Sequence, residues 1–204
     1  MERDDMVTIY GDVNSGNCYK VKLLAEQLAL PYTWIDIDIL KKETQTDAFL
    51  INNRNGKIPL LKTPDGNFLP ESNAILHYLA EGTALLPTDR FEHAQVLQWL
   101  FFEQYSHEPY IATARYIVRY LGRPSELEPQ LQSKMAPGYK ALRVMDAHLG
   151  RQPFFVGGRY TIADIGLFAY THVAEEGGFE FSSFPAICEW IERVRAQPGF
   201  IEIG

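Results

Sequence analysis

Ser15 is the residue best placed to do chemistry, because it ends a short turn that leads into a predicted helix. The segment from Tyr10 to Lys20 reads Tyr-Gly-Asp-Val-Asn-Ser-Gly-Asn-Cys-Tyr-Lys, in which a β-prone run gives way to glycine and polar residues. A serine at a helix start lies beside free backbone N–H groups and the positive end of the helix dipole. Its hydroxyl can donate a hydrogen bond to a thiolate in that position.

A hydrogen bond to a thiolate, together with a helix end, contributes ~2–3 kcal/mol. That free energy would lower the pKa of a cysteine-like thiol from about 8.5 towards neutrality. Ser15 therefore either activates a bound thiol or serves only as the N-cap of its helix, for which serine is a favoured residue.

Two neighbours of Ser15 suggest other roles. Cys18 offers thiol–disulfide exchange, but no second cysteine completes a CxxC pair, and its place inside the helix favours packing. Tyr10 lies in the β-prone run, which favours a structural role.

Two later segments contain residue types suited to a ligand. Ile58-Pro59 precedes a predicted strand, where proline fits because it has no N–H to donate. Its peptide bond is either trans or cis, and the cis form would leave the preceding backbone free to pair with an extended ligand. Glu71-Ser72-Asn73 precede a helical pattern, with Ser72 as the predicted N-cap at an end that can hold a carboxylate.

The elements that position these residues follow the order strand, helix, strand. Residues 7–10 are β-prone, residues 17–29 have helical spacing, and residues 35–39 alternate isoleucine with aspartate as in a half-buried strand. Two short strands around Asp65-Gly66 and a helix from residue 72 complete the pattern. We predict a βαβ-ββα domain over residues 1–81.

The rest of the chain predicts an all-helical domain. Residues 82–90 have the glycine, proline and polar residues of a linker, and strand signals almost vanish over residues 91–204. The fold class is therefore an α/β domain followed by an all-α domain. The predicted helices cover roughly residues 91–121, 130–149, 162–176 and 184–196, with breaks at 122–124 and 157–158.

The net charge and the cysteine content exclude several classes of function. The formal net charge is −7 without a basic cluster, which argues against nucleic acid or an anionic membrane as the main partner. Two cysteines outside any CxxC pair argue against a disulfide framework and a cysteine-rich metal site, and the histidines show no metal-ligand spacing. With no signal-peptide pattern and no long apolar run, we expect a cytoplasmic protein.

The order of these segments resembles the thioredoxin-like domain of cytosolic glutathione transferases, of the bacterial, serine-type, theta/delta/nu-like kind. The matching parts are the turn and helix at Ser15, N-x-x-x-K-I-P from Asn53 to Pro59, and E-S-N-A-I from Glu71 to Ile75. Thr161-Ile162-Ala163-Asp164 also matches the capping box that opens a core helix in that family's second domain. The resemblance spans nearly the whole chain. It departs from the S-x-P-C-R pattern at Asn17 and Tyr19.

The resemblance implies glutathione as co-substrate, with no metal. It implies Ser15 as the thiol-activating residue, assisted at the sulfur by Asn17. Lys57 and the backbone of Ile58 would contact the cysteinyl and glycyl part of the tripeptide. Glu71, Ser72 and Asn73 would hold the γ-glutamyl end. The Glu71 carboxylate suits the ammonium group of the ligand, and the Ser72 hydroxyl suits its carboxylate.

In the helical domain the resemblance implies a pocket for an electrophilic, apolar small molecule and an interface of a homodimer. Tyr105, His107 and Arg115 are the candidates for that pocket, and the alternative is a solvated helix face with aromatic core residues. The expected reaction is conjugation of the glutathione thiolate with an electrophile. Alternatives are reduction of a peroxide or disulfide, exchange through Cys18, and a non-catalytic glutathione-binding module.

Overall fold

The structure, a computed structural model, describes residues 6–204 and divides into two compact units. The sheet unit runs to Glu81 and includes the C-terminal segment Pro198–Gly204, and the helical unit is Gly82–Gln197. The C-terminal segment was expected in the helical domain, but it packs on the first unit, where the Tyr19 hydroxyl donates to the carbonyl of Ile201 at 2.7 Å.

The residues predicted to be a linker, 82–90, belong to the helical unit. Leu86 is 5% exposed, and the carbonyl of Leu85 accepts a hydrogen bond from the Ile162 N–H at 3.0 Å. The apolar pair in this segment therefore packs on the helices, and the segment forms an ordered connection to α4.

Four strands form one mixed sheet in the spatial order β2-β1-β3-β4. β1 pairs with β2 in parallel and with β3 antiparallel, and β4 pairs antiparallel with β3 across the turn at Gly66. The strands are β1 (Val7–Gly11), β2 (Tyr32–Asp36), β3 (Leu60–Lys62) and β4 (Phe68–Pro70).

Helices α1 (Gly16–Gln27) and α3 (Ser72–Ala80) pack against each other, and a short helix, α2 (Asp47–Leu50), precedes β3 after a 3-10 turn at Glu43–Gln45. The core under α1 and α3 contains no exposed side chain and joins both helices to the central strands. Its members are Ile9, Val21, Ala25, Leu61 and Ile75. The predicted βαβ-ββα order is confirmed.

The sequence predicted that isoleucines of the second strand face the core, and this prediction was wrong for Ile35. Tyr32 and Trp34 pack against the core, whereas Ile35 is 38% exposed. The strand also ends before residue 39, because its parallel partner β1 ends at Gly11 and the register stops there. Side chains alternate along a strand, so Tyr32 and Trp34 share the face towards the core, where both are half-buried, and Ile35 lies on the opposite face.

The helical unit consists of five α-helices and several tighter or wider turns. Two π-helical turns interrupt the long first helix, at Glu103–His107 and Tyr116–Tyr120, and 3-10 turns lie at Ser125–Leu127 and Ala174–Gly177. The α-helices are α4 (Arg90–Phe102), α5 (Glu108–Arg115), α6 (Glu128–Leu149), α7 (Ile162–Thr171) and α8 (Pro185–Arg195). The breaks expected at 122–124 and 157–158 are present, with left-handed backbone at both.

The capping box predicted at Thr161–Asp164 is confirmed and is fully buried. The Thr161 N–H donates to Asp164 Oδ2 at 2.9 Å, and Asp164 Oδ1 accepts from the Phe155 N–H at 3.1 Å and the Trp190 indole at 3.0 Å. Burial raises the pKa of Asp164 to about 6, while these hydrogen bonds act in the opposite direction. One carboxyl group therefore ties the start of α7 to α8.

Among residues 6–204, no helix is both long enough and apolar enough to cross a bilayer.

Candidate functional site

The turn between β1 and α1 places Ser15 at the N-cap of a 12-residue helix. The Ser15 backbone is extended, its N–H donates to the Asp12 carbonyl at 3.0 Å, and its hydroxyl accepts from the Cys18 N–H at 3.4 Å. The side chain is half-buried. Ser15 therefore serves as the N-cap of the helix, and it also places a hydroxyl at the positive end of the helix dipole.

Cys18 lies one turn into α1 and has no exposed surface. Burial raises the pKa of its thiol to about 12, although a hydrogen bond from Ser15 lowers it. A Cβ at Gly11 would lie 2.7 Å from the Trp34 ring and 3.0 Å from Cys18 Sγ, so the strand end closes over the sulfur. Cys18 is a packing residue, and the structure argues against exchange chemistry at this sulfur.

Alkylation tests this assignment. Iodoacetamide at mildly alkaline pH should label the exposed Cys188 in the native protein and leave Cys18 unmodified, because a buried thiol with a raised pKa supplies almost no accessible thiolate. Peptide mass mapping measures the two sites separately, and urea-denatured protein, in which both should react, is the control. Labelling of Cys18 in the native protein at a rate comparable to Cys188 would contradict the assignment.

The N-terminus of α3 is built differently from the prediction. Ser72 is the first residue inside the helix, and the N-cap position belongs to Glu71, whose φ is +72°. Glu71 makes no capping hydrogen bond and is exposed, with Asn55 Nδ2 3.5 Å from its Oε1. The prediction of Ser72 as N-cap was therefore wrong by one position, because its hydroxyl bonds side chains of α1 instead of the helix backbone.

The Ser72 hydroxyl connects the two helix starts. It donates to Asn17 Oδ1 at 3.1 Å and accepts from Lys20 Nζ at 3.3 Å. Asn17 is half-buried on the first turn of α1, two residues beyond Ser15. Residues 55 positions apart in the sequence, Asn17 and Ser72, thus meet in one place.

A fixed loop carries Lys57 and Ile58 into β3. Asn53 is buried and donates from Nδ2 to the Lys57 carbonyl at 2.8 Å, while Gln45 Nε2 donates to the Gly56 carbonyl at 3.0 Å. The Lys57 side chain is exposed, Ile58 is half-buried, and the Ile58-Pro59 peptide bond is cis.

Asn73 and Tyr10 complete the sheet-unit residues considered from the sequence. Asn73 follows Ser72 in the first turn of α3 and is half-buried. Tyr10 pairs with Leu60 in the sheet, and its ring lies 6.4 Å from that of Phe68, as a structural residue would.

The three candidates for a second-substrate pocket are not brought together. His107 has no exposed surface, and its Nε2 lies 2.9 Å from Thr171 Oγ1. Arg115 is 4% exposed and pairs with Glu176 at 2.8 Å. Both side chains are held inside the helical unit by neighbouring elements, so the expectation that they line a pocket is corrected.

Tyr105 does line a cavity. It is 84% exposed and borders a space of about 240 Å³ between the α4–α5 segment and α6. The other walls are mostly apolar: Phe102, Ser106, Tyr110, Pro137, Lys140, Ala141 and Val144.

Lys20 is the residue of this site that the sequence analysis missed. The signal in the sequence is a lysine on the buried stripe of α1, with Gly16 and Leu24 one turn to either side. A charged residue on an apolar stripe is rarely fully buried unless it has a partner, and here Ser72 is one.

Family models agree with this architecture. The N-terminal domain of glutathione S-transferases matches residues 14–81, and the C-terminal domain of the same family matches residues 95–198. The two domains of the family therefore correspond to a thioredoxin-like sheet unit and an all-helical unit.

Three known proteins are similar to the chain over most of its length. A glutathione S-transferase from Pseudomonas fluorescens Pf-5 is 53% identical, with a TM-score of 0.96 and coverage of 97% of this chain and 98% of that chain. The glutathione transferase URE2P6 from Phanerochaete chrysosporium, in complex with oxidized glutathione, is 27% identical, with a TM-score of 0.87 over 98% and 94% of the two chains. The disulfide-bond oxidoreductase YfcG of Escherichia coli K12 is 29% identical over 189 residues, which are 89% of this chain and 87% of that protein.

The chain belongs to the glutathione S-transferase family. It is a glutathione transferase, an enzyme that uses the tripeptide thiol as co-substrate.

Proposed function

We propose that glutathione binds along the starts of α1 and α3, where Ser15 activates its thiol for attack on an apolar electrophile. The observation that carries this proposal is the hydrogen bond between Ser72 and Asn17. It joins a helix start suited to a thiolate with a helix start suited to a carboxylate, which are the two anionic groups at that end of the tripeptide.

Ser15 and Asn17 serve the sulfur in this proposal. The half-buried hydroxyl of Ser15 keeps the hydrogen bond that it accepts from the Cys18 N–H and donates its own proton to the ligand thiolate, and the dipole of α1 stabilises the same negative charge. Asn17 assists at the sulfur from the first turn of α1, where its Oδ1 accepts a hydrogen bond from the Ser72 hydroxyl. A larger thiolate fraction, proximity and partial desolvation then accelerate the attack.

Glu71, Ser72 and Asn73 hold the γ-glutamyl end. The exposed Glu71 carboxylate suits the ligand's ammonium group, and the start of the nine-residue α3 suits its carboxylate. Lys57 and the backbone of Ile58 lie on the loop that Asn53 fixes, and they contact the cysteinyl and glycyl part.

Glutathione affinity tests these assignments. Ser72→Ala and Glu71→Gln should each raise the KM for glutathione by about 5- to 30-fold, because each loses a polar contact of ~1–2 kcal/mol, while kcat at saturating glutathione changes little. Steady-state kinetics with varied glutathione measures both constants. Glu81→Gln, which removes an exposed carboxylate just after the other end of α3, is the matched control. An unchanged KM in both site variants would contradict the assignment.

Reduction of a disulfide is a second candidate reaction, favoured by the similarity to a disulfide-bond oxidoreductase. Because Cys18 is buried, this candidate reaction takes both sulfurs of the oxidised product from glutathione. One glutathione thiolate attacks the disulfide and releases one thiol, and a second glutathione attacks the mixed disulfide and releases the other thiol with oxidised glutathione. Product analysis by mass spectrometry separates the reactions, since conjugation yields a thioether and reduction yields oxidised glutathione.

The cavity beside Tyr105 is the candidate pocket for an apolar or aromatic electrophile. The surface around Phe101, whose side chain is 70% exposed, is the candidate interface of a homodimer. Tyr105→Ala should raise the KM for an aromatic electrophile about tenfold without changing the KM for glutathione. Phe101→Ala should leave that KM unchanged and weaken the dimer in analytical ultracentrifugation. If Tyr105→Ala changes only the association state, the cavity belongs to the interface and the pocket assignment is wrong.

A role in cytoplasmic detoxification fits these features. Both cysteines are free thiols, as is usual in a reducing compartment.

A further inference from the structure

Lys20 is an unusual residue for the interior of a small sheet unit. Its side chain has no exposed surface. Among the residues of this unit that the structure describes, Lys20 is the one charged residue whose side chain is fully buried. An ammonium group taken out of water costs several kcal/mol unless nearby groups compensate. Lys20 lies on α1 and reaches across to the first residue of α3.

The hydrogen bond between Lys20 and Ser72 has a fixed donor and a fixed acceptor. An ammonium group only donates, so Ser72 Oγ accepts from Lys20 Nζ at 3.3 Å. The Ser72 proton then points away from Lys20, and it reaches Asn17 Oδ1 at 3.1 Å.

We propose that Lys20 is a positioning residue that makes the Ser72 hydroxyl a donor towards glutathione and adds positive charge behind the γ-glutamyl carboxylate subsite. This inference rests on the proposed placement of glutathione and deepens it. The ammonium fixes the side of Ser72 Oγ that accepts, so the hydroxyl proton is directed to the outer side, where a ligand carboxylate can replace Asn17 as acceptor.

Charge and helix dipole act together at this point. The start of α3 already carries a partial positive charge, and a buried ammonium beside its first residue is screened less than a surface lysine would be. The two favour a carboxylate over a neutral group at Ser72. Lys20 thus selects for the α-carboxylate of the γ-glutamyl residue without touching it.

A merely structural role for Lys20 makes a different prediction. Replacing a buried charge with an apolar side chain of similar length is often neutral or stabilising, so Lys20→Met should keep the fold. A structural residue would then change the affinity for all ligands alike. A positioning residue changes only the affinity that depends on the ligand carboxylate.

The experiment compares two ligands by isothermal titration calorimetry: glutathione and γ-aminobutyryl-cysteinyl-glycine, which lacks only the α-carboxylate. The wild-type protein should prefer glutathione, and Lys20→Met should reduce that preference about tenfold by weakening glutathione alone. Ser72→Ala should reduce it as well, and the double variant should lose less than the two single losses combined, because Lys20 acts partly through Ser72. Lys22→Met removes a charge from the same helix at a half-buried position and should retain the wild-type preference.

The outcomes separate the two levels of the proposal. If Ser72→Ala loses the preference while Lys20→Met retains it, the inference about Lys20 is wrong and the proposed glutathione site stands. If neither variant changes the preference, the γ-glutamyl placement at Ser72 is wrong as well. Should Lys20→Met not fold, Lys20→Gln provides a second neutral variant, for which the same loss of preference is expected and a retained preference overturns the inference.

Discussion

Replacing Ser15 with alanine should lower kcat/KM for conjugation by about 10- to 30-fold, which corresponds to the loss of ~1.5–2 kcal/mol of thiolate stabilisation from the hydrogen bond. The loss is expected because the Ser15 hydroxyl lies at the N-cap of α1 and can donate its proton from that turn to the thiolate. The loss should be largest below the pKa of free glutathione, where ionisation limits the rate. Initial rates over a range of pH measure this effect.

Two further variants of Ser15 distinguish chemistry from helix capping. Alanine also costs ~1 kcal/mol as a cap, whereas glycine at an N-cap costs only a few tenths of a kcal/mol. Ser15→Gly should therefore lose as much activity as Ser15→Ala while staying close to the wild type in stability, and Ser15→Thr should retain part of the activity. Wild-type turnover in Ser15→Gly would show that Ser15 only caps the helix.

Asp164→Ala should lower the free energy of unfolding by about 3–5 kcal/mol, the largest stability effect we expect from a single substitution here. Its carboxylate accepts from Thr161, Phe155 and Trp190, all in the core of the helical unit. Alanine leaves these buried donors without their acceptor, and each costs ~1–3 kcal/mol before relaxation. Urea denaturation measured by circular dichroism gives the change.

Asp89→Ala is the matched control for Asp164. Asp89 is an exposed N-cap of α4 that accepts from the N–H groups of Phe91 and Glu92, both at 3.0 Å. Water can replace its carboxylate, so its loss should cost only ~1 kcal/mol. Equal effects of the two substitutions would mean that the buried network at Asp164 contributes no more than an ordinary cap.

Local chemistry in the sequence was enough to predict the order of elements and several helix ends. The turn before α1, the Asp65-Gly66 hairpin and the capping box at Thr161 depend on residues close together in the chain, and all three are present. The inward face of β2 was mispredicted, because alternation along the strand puts Trp34 on the face towards the core and Ile35 on the opposite face.

Contacts between distant segments explain the other differences at the site. Ser72 reads as a cap in its own segment, yet it bonds residues of α1 that the sheet brings beside it. Arg115 reads as a pocket residue on a polar helix face, yet Glu176 pairs with it from 61 positions further on. Lys20 lies on the apolar stripe of α1 in the sequence, but only the packing of α1 on α3 shows that its side chain is buried against Ser72.

The most direct measurement of the central claim is the titration of glutathione bound to the enzyme, followed by the ultraviolet absorbance of the thiolate. If a serine hydroxyl and a helix end stabilise the anion, the midpoint in the wild-type protein lies about 1.5–2 pH units below that of a free cysteine-like thiol, and Ser15→Ala returns it towards about 8.5. The same midpoint in both proteins would show that the thiol ionises without help from Ser15, and the proposed mechanism would have to be abandoned.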